Sequence, residues 1–173
     1  MSKITIRKLS INDGEKERRY LLSIPENENG FFSAHRKDIV TKEAFKGYLF
    51  SRVMQTGYPK KGFPKPFIYW VEQKDEIVGM GKFLIFPKEI KNDCDGRIGL
   101  GGIAPKNRGC GIGTEALKLL IAELKKRNNE PILIWAYEDN TASRRIIEKN
   151  GGKLDRTEVD PDKSDKRRAY YLI

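Results

Sequence analysis

The stretch Arg97-Ile-Gly-Leu-Gly-Gly-Ile-Ala-Pro-Lys-Asn-Arg-Gly-Cys-Gly-Ile-Gly-Thr114 decides the fold of this protein. Its first part, Arg97–Ala104, is a glycine-rich run that predicts a strand. The segment that follows, Thr114–Arg127, predicts a helix, because its apolar residues recur at helical spacing on one side. These are Ala116, Leu117, Leu120, Ile121 and Leu124.

Three glycines stand at alternate positions in the connection between this strand and this helix: Gly109, Gly111 and Gly113. Glycine adopts backbone angles that aim successive N–H groups at one point, and it leaves room for a close anion. A helix start adds unpaired N–H groups and a favourable dipole. With Lys106 and Arg108 adjacent, the connection predicts a pyrophosphate site.

The chain after this helix continues the same alternation of elements. Pro131–Tyr137 is a continuous apolar run, typical of a strand buried on both faces. The unit 97–137 therefore predicts two parallel strands joined by a right-handed crossover. Asn140 is the expected N-cap of a short helix ending at Gly151-Gly152, and two closing strands are expected at Lys153–Asp160 and Arg167–Ile173.

The chain before the quoted stretch predicts a strand at Lys3–Lys8, a helix capped by Asn12-Asp13 and a helix from Thr41 to Gly57. A long loop, Gln55–Pro66, precedes a hairpin formed by Phe67–Glu72 and Ile77–Phe86. The whole chain, residues 1–173, is interpreted as one α/β (α+β) domain. Its central sheet is expected to be mixed but mostly antiparallel, with flanking helices.

Composition narrows the function classes. Hydrophobic residues make up 38% and charged residues 34% of the chain, as in ordinary globular proteins. No apolar run is long enough to span a membrane and no secretory signal is visible, so no membrane partner and a cytoplasmic location are expected. Cys94 and Cys110 form no disulfide framework, and with one histidine in the chain no metal site is expected.

The formal net charge of +10 favours polyanionic partners. The basic residues are spread along the chain, so nucleic acid is the less favoured of these partners and a phosphorylated cofactor is the more favoured. A dinucleotide is one alternative, because Gly111-Ile-Gly113-Thr-Glu-Ala116 fits Gly-x-Gly-x-x-Gly/Ala and Glu138 or Asp139 follows the next strand. Against it, residues 105–108 separate the strand from the glycines, and the chain ends too soon for a doubly wound sheet.

The sequence resembles the GCN5-related N-acetyltransferase (GNAT) superfamily, whose signature is Arg/Gln-x-x-Gly-x-Gly/Ala. The match here is Arg108-Gly-Cys-Gly-Ile-Gly113. A second element, Asn140-Thr-Ala-Ser143 followed by Gly151, is similar to the family's later Asn-x-x-Ala/Ser motif and its helix-ending glycine. The run Ile-Glu-Lys-Asn-Gly-Gly152 is also similar to a branch of uncharacterised bacterial acetyltransferases.

This resemblance implies an acetyl-CoA-dependent N-acetyltransferase in which a primary amine of a small molecule or protein attacks the thioester directly. It implies that the strand edge near Ile103 holds the pantetheine arm, with its N–H as oxyanion donor. Asn140 and Ser143 would contact the far arm of the cofactor. The pyrophosphate would be held by the main chain of Arg108, Gly109, Cys110, Gly111, Ile112, Gly113 and Thr114.

The catalytic half of the resemblance is incomplete. Ile147 stands where many family members have a tyrosine acid, and 97–104 contains no glutamate to act as base. Tyr137 is the candidate acid instead, and His35 is either a general base or, as favoured here, a surface residue. A CoA-binding module without catalysis therefore stays an alternative. A homodimer is a further expectation, since the terminal strands could pair between chains.

Overall fold

The structure, a computed structural model, describes residues 2–26, 34–87, 96–127 and 131–173. Cys94 lies outside these ranges. In the described part the helices are α1 (Glu15–Ser23), α2 (Lys42–Gly57), α3 (Ile112–Lys125) and α4 (Thr141–Lys149). The strands are β1 (Ile4–Lys8), β2 (Lys65–Gln73), β3 (Glu76–Ile85), β4 (Gly96–Ile103), β5 (Ile132–Tyr137), β6 (Lys153–Asp160) and β7 (Lys163–Leu172).

The strands form one sheet in the order β1-β2-β3-β4-β5-β7-β6. Every neighbouring pair is antiparallel except β4 and β5, which are parallel and joined through α3. This confirms the mixed, mostly antiparallel α/β sheet expected from the sequence. A doubly wound dinucleotide fold, which needs a largely parallel sheet, is wrong for this chain.

Different helices cover the two faces of the sheet. On one face, α1 and α2 pack on the first strands, with Trp70 and Met80 fully enclosed between them. On the other, α3 packs Leu117, Leu120 and Leu124 against the centre of the sheet. Consecutive residues of β2 such as Tyr69 and Trp70 are both buried, because side chains alternate between the two covered faces along each strand.

A buried ionic cluster fastens α1 to the sheet. Arg7 on β1 binds the carboxylates of Asp13 and Glu17, at 2.5 and 2.7 Å, and Glu72 on β2 at 2.9 Å. Asp13 also accepts a hydrogen bond from the Trp70 indole at 2.6 Å. These contacts correct the expected cap: the Asp13 carboxylate is used by the cluster, and α1 begins one residue later, after Gly14.

Other element boundaries shift by small amounts. The helix α3 begins at Ile112 rather than Thr114, and β7 begins at Lys163 rather than Arg167. Thr41 caps α2 as expected, its side chain accepting from the Ala44 amide. In the part of the chain that the structure describes, no helix is both long and apolar enough to cross a membrane.

Candidate cofactor and catalytic site

The parallel strands β4 and β5 pair over only a short length. Residues 96–98 lie beside residues 132–134, and past that point β4 pairs with β3 alone while β5 pairs with β7 alone. The two strands therefore diverge toward their C-terminal ends. We call the opening between them the wedge; the connection into α3 begins at its mouth.

The backbone of Ile103 faces the wedge. The amide of the next residue, Ala104, donates to the Val78 carbonyl on β3 at 2.9 Å. Because backbone groups alternate in direction along a strand, the N–H and C=O of Ile103 point away from β3. They point to the side where β5 has already diverged. The C=O accepts from the Arg108 side chain, and the N–H is available to an extended ligand.

The glycine loop lies at the mouth of the wedge. Two of its three glycines have the left-handed backbone that their spacing predicts. Gly109 and Gly111 have φ of 77° and 76°, in the left-handed region that glycine adopts without strain. The amide of Glu115 donates to the Gly111 carbonyl at 3.2 Å, which is the first bond of α3. The N–H groups of Ile112, Gly113 and Thr114 therefore precede the helical ladder and are oriented along the helix axis.

Gly113 is required for a different reason. It is already helical, and a Cβ there would lie 2.9 Å from the Cδ1 of Ile146 on α4. The side-chain amide of Asn150 further ties α4 to the first turn of α3, donating to the Thr114 carbonyl at 3.1 Å. The third glycine thus allows α4 to pack closely against the start of α3.

The side chain of Arg108 turns back toward the strand. Its Nε donates to the Ile103 carbonyl at 2.9 Å, so the guanidinium lies at the junction of the wedge and the glycine loop. Cys110 is exposed in the same loop, with its thiol 3.5 Å from the Arg108 carbonyl.

Gly102, the residue before Ile103, makes a contact that was not predicted from the sequence. The hydroxyl of Tyr20 on α1 donates to the Gly102 carbonyl, and burial, opposed only in part by the nearby Arg108, raises the pKa of this phenol. Tyr20 and Arg108 thus hold two successive carbonyls at the end of β4. No local pattern points to this contact, because Gly102 is 82 residues away from Tyr20 in the sequence.

The second motif caps a helix. The Asn140 side chain accepts from the Ser143 amide at 3.1 Å and starts α4, as its position predicts. Ile147, at the position where the family often has tyrosine, is buried in the core between α4 and the sheet. The cofactor contacts expected of Asn140 and Ser143 stay predictions.

Tyr137 ends β5 on the face opposite α3, and its hydroxyl interacts with the buried carboxylate of Asp160. Burial, with the Asp160 contact, raises the pKa of Tyr137. For the Asp160 carboxyl, burial acts upward, but hydrogen bonds outweigh it and the pKa lies below its ordinary value. The strongest donors are Arg168, whose Nε is 2.7 Å away, and the Asp162 amide at 2.8 Å.

His35 lies elsewhere on the chain, exposed at the start of a single 3₁₀ turn, Arg36–Asp38, that leads to α2. The described residues include no group of three or more histidine, cysteine, aspartate or glutamate side chains arranged to hold a metal ion.

The family profile described as "Acetyltransferase (GNAT) family" matches residues 36–152, which include the wedge, the glycine loop and Asn140. The chain belongs to the GNAT acetyltransferase family. Its activity is accordingly that of an N-acetyltransferase. The match spans well over half the chain, and the resemblance noted in the two sequence motifs is confirmed at the level of the family.

Solved structures share the whole fold of this GNAT protein at low sequence identity. The ribosomal-protein-S5-alanine acetyltransferase of Vibrio fischeri has a TM-score of 0.78 at 15% identity, covering 100% of this chain and 93% of its own. The microcin C7 self-immunity acetyltransferase MccE, in complex with acetyl-CoA and AMP, has 0.71 at 19%, covering 99% and 92%.

The aminoglycoside acetyltransferase AAC(6')-Ib, in complex with coenzyme A, has a TM-score of 0.69 at 19% identity and covers 99% of this chain and 94% of its own. No curated protein sequence matches the chain. At these identities the structural likeness establishes the fold, and the acceptors named for these proteins are properties of those proteins.

Proposed function

We propose that this GNAT protein binds acetyl-CoA along the wedge and transfers the acetyl group to a primary amine. The observation that carries the proposal is the continuity of three backbone features. The open edge of β4 at Ile103 leads into the left-handed glycines 109 and 111, and these lead into the unpaired amides at the start of α3.

These features fit the chemistry of the cofactor. An extended amide-containing arm can hydrogen-bond a strand edge, as a peptide does in strand addition. A pyrophosphate is accommodated by a helix N-terminus preceded by left-handed glycines, where amides converge and no Cβ interferes. Structural relatives solved with coenzyme A or acetyl-CoA support the same assignment.

In the proposed reaction the acceptor amine, in its neutral form, attacks the acetyl carbonyl carbon. The new N–C bond forms, the C–S bond breaks, and the electron pair of that bond leaves with sulfur as the thiolate of CoA. The amine loses one proton and the thiolate takes up one. The N–H of Ile103 would stabilise the charge that develops on the carbonyl oxygen, and alignment of the two substrates would supply much of the acceleration.

Tyr137 is the proposed acid for the departing thiolate. A phenol, with an ordinary pKa of about 10, is protonated at neutral pH, which is the state that an acid requires. The interaction of Tyr137 with Asp160 must then be exchanged for a hydrogen bond to sulfur during the reaction. No general base is assigned. The candidate from the sequence, His35, is exposed, and we interpret it as a surface residue.

A CoA-binding module without turnover is the second candidate. One observation favours it: Ile147 is buried, so the α4 position that often supplies the acid contributes only packing. Cytoplasmic location and a homodimer stay predictions.

The deciding experiment measures thiol release from acetyl-CoA by the purified protein with a panel of amines. The panel contains N-terminal peptides, free amino acids, polyamines and aminoglycosides, the first and last suggested by the structural relatives. We expect release above the amine-free rate for at least one class. Saturable acetyl-CoA binding by calorimetry with no release on any class would instead establish the binding module, and no binding at all would refute both.

A further inference from the structure

The outer face of α2 presents large apolar side chains to solvent. Phe50 and Met54 on α2 and Tyr58, the residue just after its end, recur every four residues, and Phe50 and Tyr58 are 58% and 79% exposed. Residues four apart on a helix lie on one side, so the three form a continuous stripe. Phe63, in the following loop, is 55% exposed beside them.

Together with the loop, the stripe forms a groove of about 650 Å³, which we call the α2 groove. Its principal lining residues are Phe50, Met54, Tyr58, Phe63, Pro64 and Pro66. The loop is held in shape by a turn in which the Phe63 amide donates to the Lys60 carbonyl at 3.0 Å. The Thr56 hydroxyl closes it by donating to the Pro66 carbonyl at 2.9 Å.

The α2 groove lies at the other end of the sheet from the glycine loop. Lys65, the first residue of β2, pairs with the last residue of β3, which in turn pairs with the first residue of β4. The glycine loop follows the last residue of β4. Since β4 has 8 residues and a strand rises about 3.3 Å per residue, the two regions are separated by roughly the length of that strand. The α2 groove is therefore not part of the proposed acetyl-transfer site.

The chain segment that forms the α2 groove carries charge of one sign. From Ala44 to Val71 the sequence contains no aspartate or glutamate, and it contains the basic residues Lys46, Arg52, Lys60, Lys61 and Lys65. A second copy of the chain would bring like charges together here, which is unfavourable. An acidic partner would be attracted.

We infer that the α2 groove docks an acidic protein segment that carries large apolar side chains. The apolar stripe would receive those side chains and supply most of the binding affinity. The lysines around it would pair with flanking carboxylates and attract the acidic segment from a distance. A protein segment is favoured over single-stranded RNA, because the groove is concave and walled by prolines. In addition, the ring of Phe63 already has the ammonium of Lys60 over it at 4.8 Å, where a base would stack.

The test measures fluorescence anisotropy of a short fluorescein-labelled peptide of glutamates with leucine at every fourth position, titrated with the intact protein. We expect saturable binding that weakens with salt and is unchanged by saturating acetyl-CoA. Replacing the leucines by serine should weaken binding at least about tenfold, the loss expected of a dominant apolar anchor. Equal binding of the serine peptide would overturn the inference, since charge alone would then explain it.

Substitutions in the α2 groove test whether the peptide binds there. Met54→Glu, at an exposed position, should weaken binding at least about tenfold, and Phe63→Ser in the loop provides a second disruption if the first fails to fold. Leu154→Glu, at a residue of β6 that is also exposed, is the matched control and should leave binding unchanged. Wild-type affinity in both groove variants, or displacement of the peptide by a single-stranded oligouridylate that binds more tightly, would refute a protein-docking surface.

Discussion

The two ends of β4 use different parts of the polypeptide. At its C-terminal end the proposed cofactor site consists of backbone atoms: the Ile103 edge, the left-handed glycines 109 and 111, and the first amides of α3. At its N-terminal end the α2 groove consists of side chains on a helix and loop that come from a distant part of the chain. A backbone site follows from glycine spacing and is visible in the sequence, whereas a side-chain site depends on which surfaces the fold leaves exposed.

The largest effect that would test this comparison is expected for Gly111→Val. A β-branched residue at φ of 76° is strained and its side chain would obstruct the approach of the anion. We expect acetyl-CoA affinity, measured by calorimetry, to fall at least about 100-fold, a loss of about 2.7 kcal/mol.

The matched control for this change is Gly62→Val. Gly62 has φ of 78° but lies in the loop beside the α2 groove. It should lose stability for the same backbone reason and keep its acetyl-CoA affinity. Normal cofactor binding by the Gly111 variant would show that the pyrophosphate site is assigned to the wrong loop.

The next effect concerns Tyr137, where a side chain rather than the backbone would act. If it donates the proton, Tyr137→Phe lowers kcat about 100-fold, at the lower end of the effect of an acid catalyst, with KM for acetyl-CoA unchanged. Tyr170→Phe, on the neighbouring strand and also buried, should keep its kcat. A fall in melting temperature with unchanged kcat would instead assign Tyr137 to holding Asp160 and the terminal hairpin.

A smaller change is expected for Arg108→Met, at the junction of the wedge and the glycine loop. Loss of the cation beside the glycine loop should raise KM for acetyl-CoA about tenfold, at the scale of one charge-assisted hydrogen bond, and leave kcat unaltered. Arg108→Lys separates two causes. Recovery of KM would indicate that charge matters, and no recovery would indicate that the bond to the Ile103 carbonyl matters.

The pH dependence of stability should change with Asp160→Asn. The Asp160 carboxyl has a pKa below its ordinary value, so its contribution is fully present above the unfolded-state pKa of about 3.9 and is lost as pH falls through the folded value. Melting temperature measured from neutral pH into this acidic window should therefore fall less steeply in the variant. A slope identical to that of the wild type would mean that the carboxylate contributes no net stabilisation.

The smallest effect is expected for His35→Gln. Because the residue is exposed at the start of a short turn, kcat/KM should stay within about threefold, and the acidic limb of its pH profile should not move. Loss of that limb together with a large fall in kcat would restore the general-base interpretation.

Local patterns predicted most of the fold. The alternation in the strands, the stripe on α3 and the capping side chains of Thr41 and Asn140 all depend on neighbours within a few residues, and all are present as expected. The expected cap at Asn12-Asp13 was wrong because the Asp13 carboxylate binds Arg7 and Trp70 instead, and Trp70 is 57 residues away. No local rule reveals that competition.

By itself the sequence determined the element order, the family and the location of the glycine loop, because each rests on short-range periodicity or on the backbone freedom of glycine. The tertiary structure alone decided that β4 and β5 diverge after residues 98 and 134, which depends on pairing between segments more than 30 residues apart. It also decided that Tyr20 binds the end of β4, that Tyr137 meets Asp160, and that, among the described residues, Phe50, Met54 and Tyr58 stay exposed. These depend on packing between distant segments, where small differences in strand direction decide which side chains meet.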